Sequence, residues 1–88
     1  MTKLSDMPNI GRVLERKLIK CGITNASELI NIGSKNAFLR IKAIDGTTCL
    51  SMLQALEGAV QNIRWHDLPE KSKNELKEFF KLTRTKVL

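Results

Sequence analysis

Apolar residues recur along this chain at helical spacing, and nowhere do they alternate two by two for long enough to build a sheet. Cys49, Met52, Leu53, Leu56, Ala59, Val60 and Ile63 follow the 3.6-residue period and predict one helix from about Thr48 to Ile63. That helix is expected to be the longest and to sit at the centre of the core. Gly58 interrupts it, at a cost of about 1 kcal/mol relative to Ala, so another backbone is expected to approach there. A second stripe, Ile10, Val13, Leu14, Leu18 and Cys21, predicts a helix that stops at Gly22, where a left-handed residue belongs. Asn25-Ala-Ser-Glu28 reads as a capping box for a short helix reaching about Asn31. Ser34 reads as the N-cap of the next, which turns Ala37, Phe38 and Ile41 inward. Asp45-Gly46-Thr47-Thr48 is a turn followed by a cap. Asp67-Leu-Pro-Glu70 opens a last helix with Pro69 in its first turn and Leu76, Phe79 and Phe80 facing in. Trp65 is placed as an anchor packing the corner before it. The class is all-α, a single domain over residues 1–88 built from five to six short helices.

The chain carries 15 Lys and Arg against 9 Asp and Glu, a net charge of +6. The excess is uneven: residues 1–42 contribute +5 of it. Concentrated basic charge points to an anionic partner, nucleic acid first. Cys21 and Cys49 lack paired spacing, and His66 is the single histidine, so no zinc site is expected. Both cysteines are read as small buried hydrophobes. No apolar run approaches the roughly 18–20 residues that span a bilayer, and no signal peptide opens the chain. A cytoplasmic protein without a membrane role is expected.

The tripeptide Asn-Ile-Gly occurs at residues 9–11 and again at residues 31–33. Each copy precedes a predicted helix and has a basic residue close by, Arg12 or Lys35. A helix start leaves unpaired amides at the positive end of the helix dipole, which suits a phosphate oxygen. Two such turns predict a tandem helix-hairpin-helix-like (SAM-like) architecture able to straddle one duplex groove. Asn9, Ile10, Gly11, Gly33 and Ser34 are the turn residues expected to meet phosphate. Arg12, Arg16, Lys17, Lys35, Arg40 and Lys42 are expected to add electrostatic attraction. Gly11 and Gly33 are both read as geometric requirements of their turns. The commonest DNA-binding hairpins have Gly at the position of Asn9, and the second copy lacks the Pro that precedes the first.

Taken in order, several stretches resemble the C-terminal domain of the TfoX/Sxy family of bacterial competence regulators. They are L-S-D-M-P-N-I-G-R-V-L-E-R-K-L, C-G-I-T-N-A-S-E-L, I-G-S-K-N-A-F-L-R-I, A-L-E-G-A (Ala55 to Ala59) and W-H-D-L-P (Trp65 to Pro69). The resemblance covers about residues 4–80. It implies an all-helical domain of helix-hairpin-helix character and, in full-length members, a link to transcriptional activation of DNA-uptake genes. Those members carry a separate N-terminal domain that nothing here matches, so the chain is expected to be the C-terminal domain standing alone.

Catalysis would need a nucleophile with its base, paired carboxylates or a metal. His66 at a helix start suits capping or solvent, and no cofactor is expected. The reading is a non-enzymatic binding module that contacts the DNA backbone with weak sequence selectivity, since no residue set looks like a base reader. The alternative is a protein-interaction module, docking onto a partner in transcription or self-associating as a homodimer.

Overall fold

The computed structural model describes residues 3–46 and 48–84. Thr47 of the expected turn and residues 85–88 lie outside the described residues. Five α-helices follow one another: α1 Arg12–Lys20, α2 Ala26–Ile32, α3 Ser34–Ile44, α4 Leu50–Gln61 and α5 Glu70–Arg84. Short 3-10 turns at Leu4–Asp6 and Trp65–Asp67 precede α1 and α5. The described residues contain no strand, as the absence of alternation predicts.

The helix ends follow local chemistry. Gly22 adopts φ 88° after α1. Its amide bonds Ile19 O and the Ile23 amide bonds Leu18 O, a complete Schellman closure with Leu18 and Ile23 both fully buried across it. Asn25 Oδ1 accepts from the Glu28 amide at 3.0 Å, capping α2. Glu28 answers by accepting from the Thr24 amide and hydroxyl, one residue before the cap. Those two donors hold the Glu28 carboxyl below the usual carboxylate range. A single residue, Gly33 at φ 87° and ψ 159°, ends α2 and starts α3. α4 closes on Asn62 in the left-handed region, and the carbonyl of Pro69 accepts the Lys73 amide as α5 begins.

α4 is the packing centre, lying against both α3 and α5. Leu53 and Leu56 on α4, Phe38 and Ile41 on α3 and Leu29 on α2 are fully buried. Phe38 meets Phe79 and Phe80 edge to face, with centroids 6.4 and 6.0 Å apart, which fixes α5 against α3.

Five expectations are corrected. α4 begins and ends two residues inside its predicted bounds, because Cys49 is an extended N-cap and Asn62 turns left-handed; α5, at 15 residues, is the longer helix. Ser34 is the first helical residue of α3, and the N-cap is Gly33. Val13 is 65% exposed. Ile10 precedes the N-cap Gly11, so it does not share the period of α1, whose inward stripe is Leu14, Leu18 and Cys21. Cys21 is half-buried and Cys49 exposed, because the N-cap position lifts Cys49 off the apolar stripe. Trp65 is 42% exposed rather than a packed anchor, its ring standing edge-on to His66.

Candidate nucleic-acid interface

The two Asn-Ile-Gly copies make different turns. In the first, Met7 is extended at φ −80° and ψ 150°, as a residue before proline must be. The chain therefore leaves the 3-10 turn at Pro8, and Asn9 reverses it at φ 70°. Gly11 follows as the N-cap of α1 with φ −95° and ψ −175°, a conformation any residue adopts. In the second copy Ile30 stands where Pro8 does, so α2 runs on through Asn31 and Ile32. The reversal falls on Gly33, in a region of backbone space that is essentially glycine's alone.

The Asn9 side chain is half-buried, and its polar atoms are engaged within the fold. Its Nδ2 donates to Ile63 O at 3.0 Å and to Ala55 O at 3.4 Å, and its Oδ1 accepts from the Trp65 amide at 3.1 Å. It fills the space that Gly58 leaves. A Cβ at Gly58 would collide with Asn9 Nδ2, sit 2.8 Å from Ile63 O and 3.2 Å from Trp65 Cα. The close backbone approach expected at Gly58 is thus present, and the side chain of Asn9 is locked into it. The clamp ties the first turn to the end of α4 and brings Arg64 and Trp65 beside Gly11 in one cleft.

Of the five turn residues assigned to phosphate, Ile10 and Gly33 have their amides used internally. Ile10 N donates to Met7 O, and Gly33 N donates to Leu29 O at 2.8 Å. The remaining helix starts differ in their surroundings. At α3, the Ser34 hydroxyl donates to Glu57 at 2.5 Å, and the cleft it faces holds Glu75 and Ser72 beside a single cation, Lys35. Carboxylates already stand at that dipole end, which disfavours a phosphate there. At α1, Gly11 opens the helix into space unoccupied within 4 Å of an added Cβ. Glu15, the acid in its first turn, accepts from the Ser5 amide at 3.2 Å.

The predicted cations divide the same way. Arg12 and Arg16 are exposed on α1. Lys17 is half-buried and paired with Asp45 at 2.5 Å. Lys35 lies over the Phe79 ring at 5.6 Å. Arg40 donates to Cys21 O at 3.5 Å, a cation at the negative end of α1, and Lys42 is half-buried. The two turns also meet different sides of α4. The first contacts Ser51, Ala55 and Gly58, while the second contacts Glu57, about 200° around the helix from Ala55. The exposed cations that follow the first turn lie together on one face of α1. Three residues outside the predicted set stand near the first turn or on the helix it opens: Lys20, which completes the i, i+4, i+8 row with Arg12 and Arg16, and Arg64 with Trp65, which line the cleft beside Gly11. Row spacing could have revealed Lys20; Arg64 and Trp65 arrive only through the Asn9 clamp.

Among the described residues no cluster of three or more His, Cys, Asp or Glu could hold a metal, and no helix is long and apolar enough to cross a membrane. The Ser51 hydroxyl, 3.1 Å from Cys49 Sγ, holds that thiol below its usual range, whereas burial pushes Cys21 up.

The family model for the TfoX C-terminal domain matches residues 1–80. The chain belongs to that family. It is 36% identical over 76 residues to the DNA transformation protein TfoX of Haemophilus influenzae, a match covering 86% of this chain and 35% of that protein. It is 28% identical over 75 residues to DNA transformation protein TfoX1 of Aliivibrio fischeri, covering 84% of this chain and 36% of that one. The TfoX C-terminal domain described here therefore spans about a third of the length of the curated relatives it matches. Two crystal structures of Listeria monocytogenes proteins of unknown function share the fold. The triclinic form superposes with a TM-score of 0.94 at 55% identity, covering 96% of both chains. The tetragonal form gives 0.87 at 59% identity, covering 89% of this chain and 96% of that one.

Proposed function

We propose that this TfoX C-terminal domain is a non-enzymatic DNA-binding module of the cytoplasm. It grips the phosphate backbone through the start of α1 and the basic row that follows, with weak sequence selectivity. The observation that carries the reading is the row itself: Arg12, Arg16 and Lys20 are all exposed at i, i+4, i+8 on a helix whose open N-terminus is capped by Gly11. The row spans about 12 Å, enough for successive phosphates along one strand. The curated relatives are named DNA transformation proteins, which supports placing the domain in regulation of transformation or transcription. The test is a salt series on duplex DNA of mixed sequence. With about three phosphates contacted, log K should fall with log salt at a slope of about −3. Arg12→Glu with Arg16→Glu should abolish binding while the circular dichroism stays helical. Salt-independent binding, or none at low salt, overturns the reading.

A further inference from the structure

We infer that the groove between α1 and the C-terminal end of α3 docks an acidic amphipathic helix of a partner polypeptide. Val13, 65% exposed, and Ile44, 57% exposed, line this groove together with Arg16, Lys17, Lys20 and Asp45. Single exposed aliphatic residues are ordinary on a protein surface. Here two share one groove, and the apolar strip continues past Val13 and Lys17 toward Met52 on α4. The one acid in the groove, Asp45, is paired with Lys17, so the wall offers net positive charge through Arg16 and Lys20.

The chemistry selects the occupant. A nucleic-acid backbone would use the cations but leave Val13, Ile44 and Met52 against water or sugar. A helix with an apolar ridge and flanking carboxylates would use both. Arg16 and Lys20, one turn apart, match carboxylates one turn apart on such a helix. A second copy of this chain is a poor match, because each copy carries a net charge of +6 and like charges repel. The inference stands apart from DNA binding, although Arg16 and Lys20 would serve both, so the two ligands would compete.

The experiment uses the full chain and a fluorescein-labelled designed peptide of about four helical turns, with leucines on one face and glutamates beside them. Two controls accompany it, one with the same composition scrambled and one with the leucines replaced by serine. Fluorescence anisotropy should show the amphipathic peptide binding about tenfold more tightly than either control. Val13→Ser with Ile44→Ser should weaken it about tenfold and leave duplex DNA affinity within about twofold. Both positions are exposed, so the fold should survive, as circular dichroism would check. Unlabelled duplex DNA should displace the peptide. Equal binding of the scrambled peptide overturns the inference, as does a Val13→Ser, Ile44→Ser variant that binds the peptide unchanged. A parallel loss of DNA affinity in that variant assigns the groove to nucleic acid instead. Sedimentation showing a dimer that this variant dissolves assigns it to a second copy.

Discussion

The turns at Asn9 and at Gly33 carry the same tripeptide and share little else. One is opened by a proline, reverses on an asparagine, and leaves its glycine in ordinary extended backbone. The other continues a helix through its asparagine and reverses on its glycine. The first is clamped by side-chain bonds to the end of α4 and faces cations; the second has Ser34 bonded to Glu57 and faces carboxylates. A short motif therefore does not determine its own geometry. The residue before it does, by deciding whether a helix can run through, and the element packed beside it decides what the turn can bind.

The largest effects should fall on the clamp. Gly58→Ala is expected to destabilise by about 3 kcal/mol, since the added methyl meets the Ile63 carbonyl at 2.8 Å and backbone cannot swing aside as a side chain can. Thermal unfolding should register this as a fall in Tm of roughly 12–24 °C for a domain of this size. A stable Gly58→Ala protein would mean that the first turn is not held as described. Asn9→Ala should cost about 2–3 kcal/mol, from a left-handed backbone without Asn or Gly and from leaving the Trp65 amide and Ile63 carbonyl unpaired. Asn9→Gly keeps the backbone and loses only the side-chain bonds, so about 1–2 kcal/mol is expected. In the Asn9→Gly background the penalty of Gly58→Ala should shrink without vanishing, because the Ile63 contact persists.

Gly33→Ala tests the other side of the comparison. Its φ of 87° with ψ of 159° is strained for any side chain, although the space beside it is open. About 2 kcal/mol of destabilisation is expected in chemical denaturation. The equivalent change in the first turn should do far less, which is the sharpest way to show that the two glycines have different jobs.

These differences explain what could be read in advance. The helical stripes of α3, α4 and α5, the left-handed Gly22 and the Asn25 cap were legible because each is local: periodicity, a C-terminal glycine, a capping box. The close approach at Gly58 was legible as a need, but its occupant, Asn9, lies 49 positions earlier in the sequence. Pairing between such distant residues leaves no local trace. Val13 was misplaced because a stripe counted from Ile10 crosses a helix start, where the period resets. Which basic residues share a face was not legible for a related reason. Charge can be counted along a chain, but α4 separates the two turns, and only the packed fold reveals that.

The cap ahead of the second turn gives a pH-dependent test. The Thr24 amide and hydroxyl hold the Glu28 carboxyl below its ordinary value. A carboxyl lowered on folding contributes stability that is present above its unfolded pKa, about 4.3, and is lost as pH falls through the folded value. Stability of the wild type should therefore fall with acidification below about pH 4.3 more steeply than that of Glu28→Gln. The two curves should converge at the acid end. Glu28 is fully exposed, so the difference should be small, and parallel curves would show that Thr24 does not favour the ionised form.

Gly11→Ala should change stability least and report most. As an N-cap, glycine is preferred to alanine, a difference of about 0.5–1 kcal/mol. Alanine also restricts the unfolded chain, which returns about 0.4–1 kcal/mol where the native backbone suits it. At φ −95° and ψ −175°, with open space around the added methyl, it does. The two contributions nearly cancel, so Tm should stay within about 3 °C of wild type. The fold gives Gly11 no conformational reason to be glycine; a ligand backbone approaching the start of α1 would. If phosphate meets the amides there, Gly11→Ala should weaken duplex DNA binding about tenfold while stability holds. Unchanged binding would move the contact off the turn and onto the Arg12, Arg16 and Lys20 row alone, whose salt slope would then account for the whole affinity.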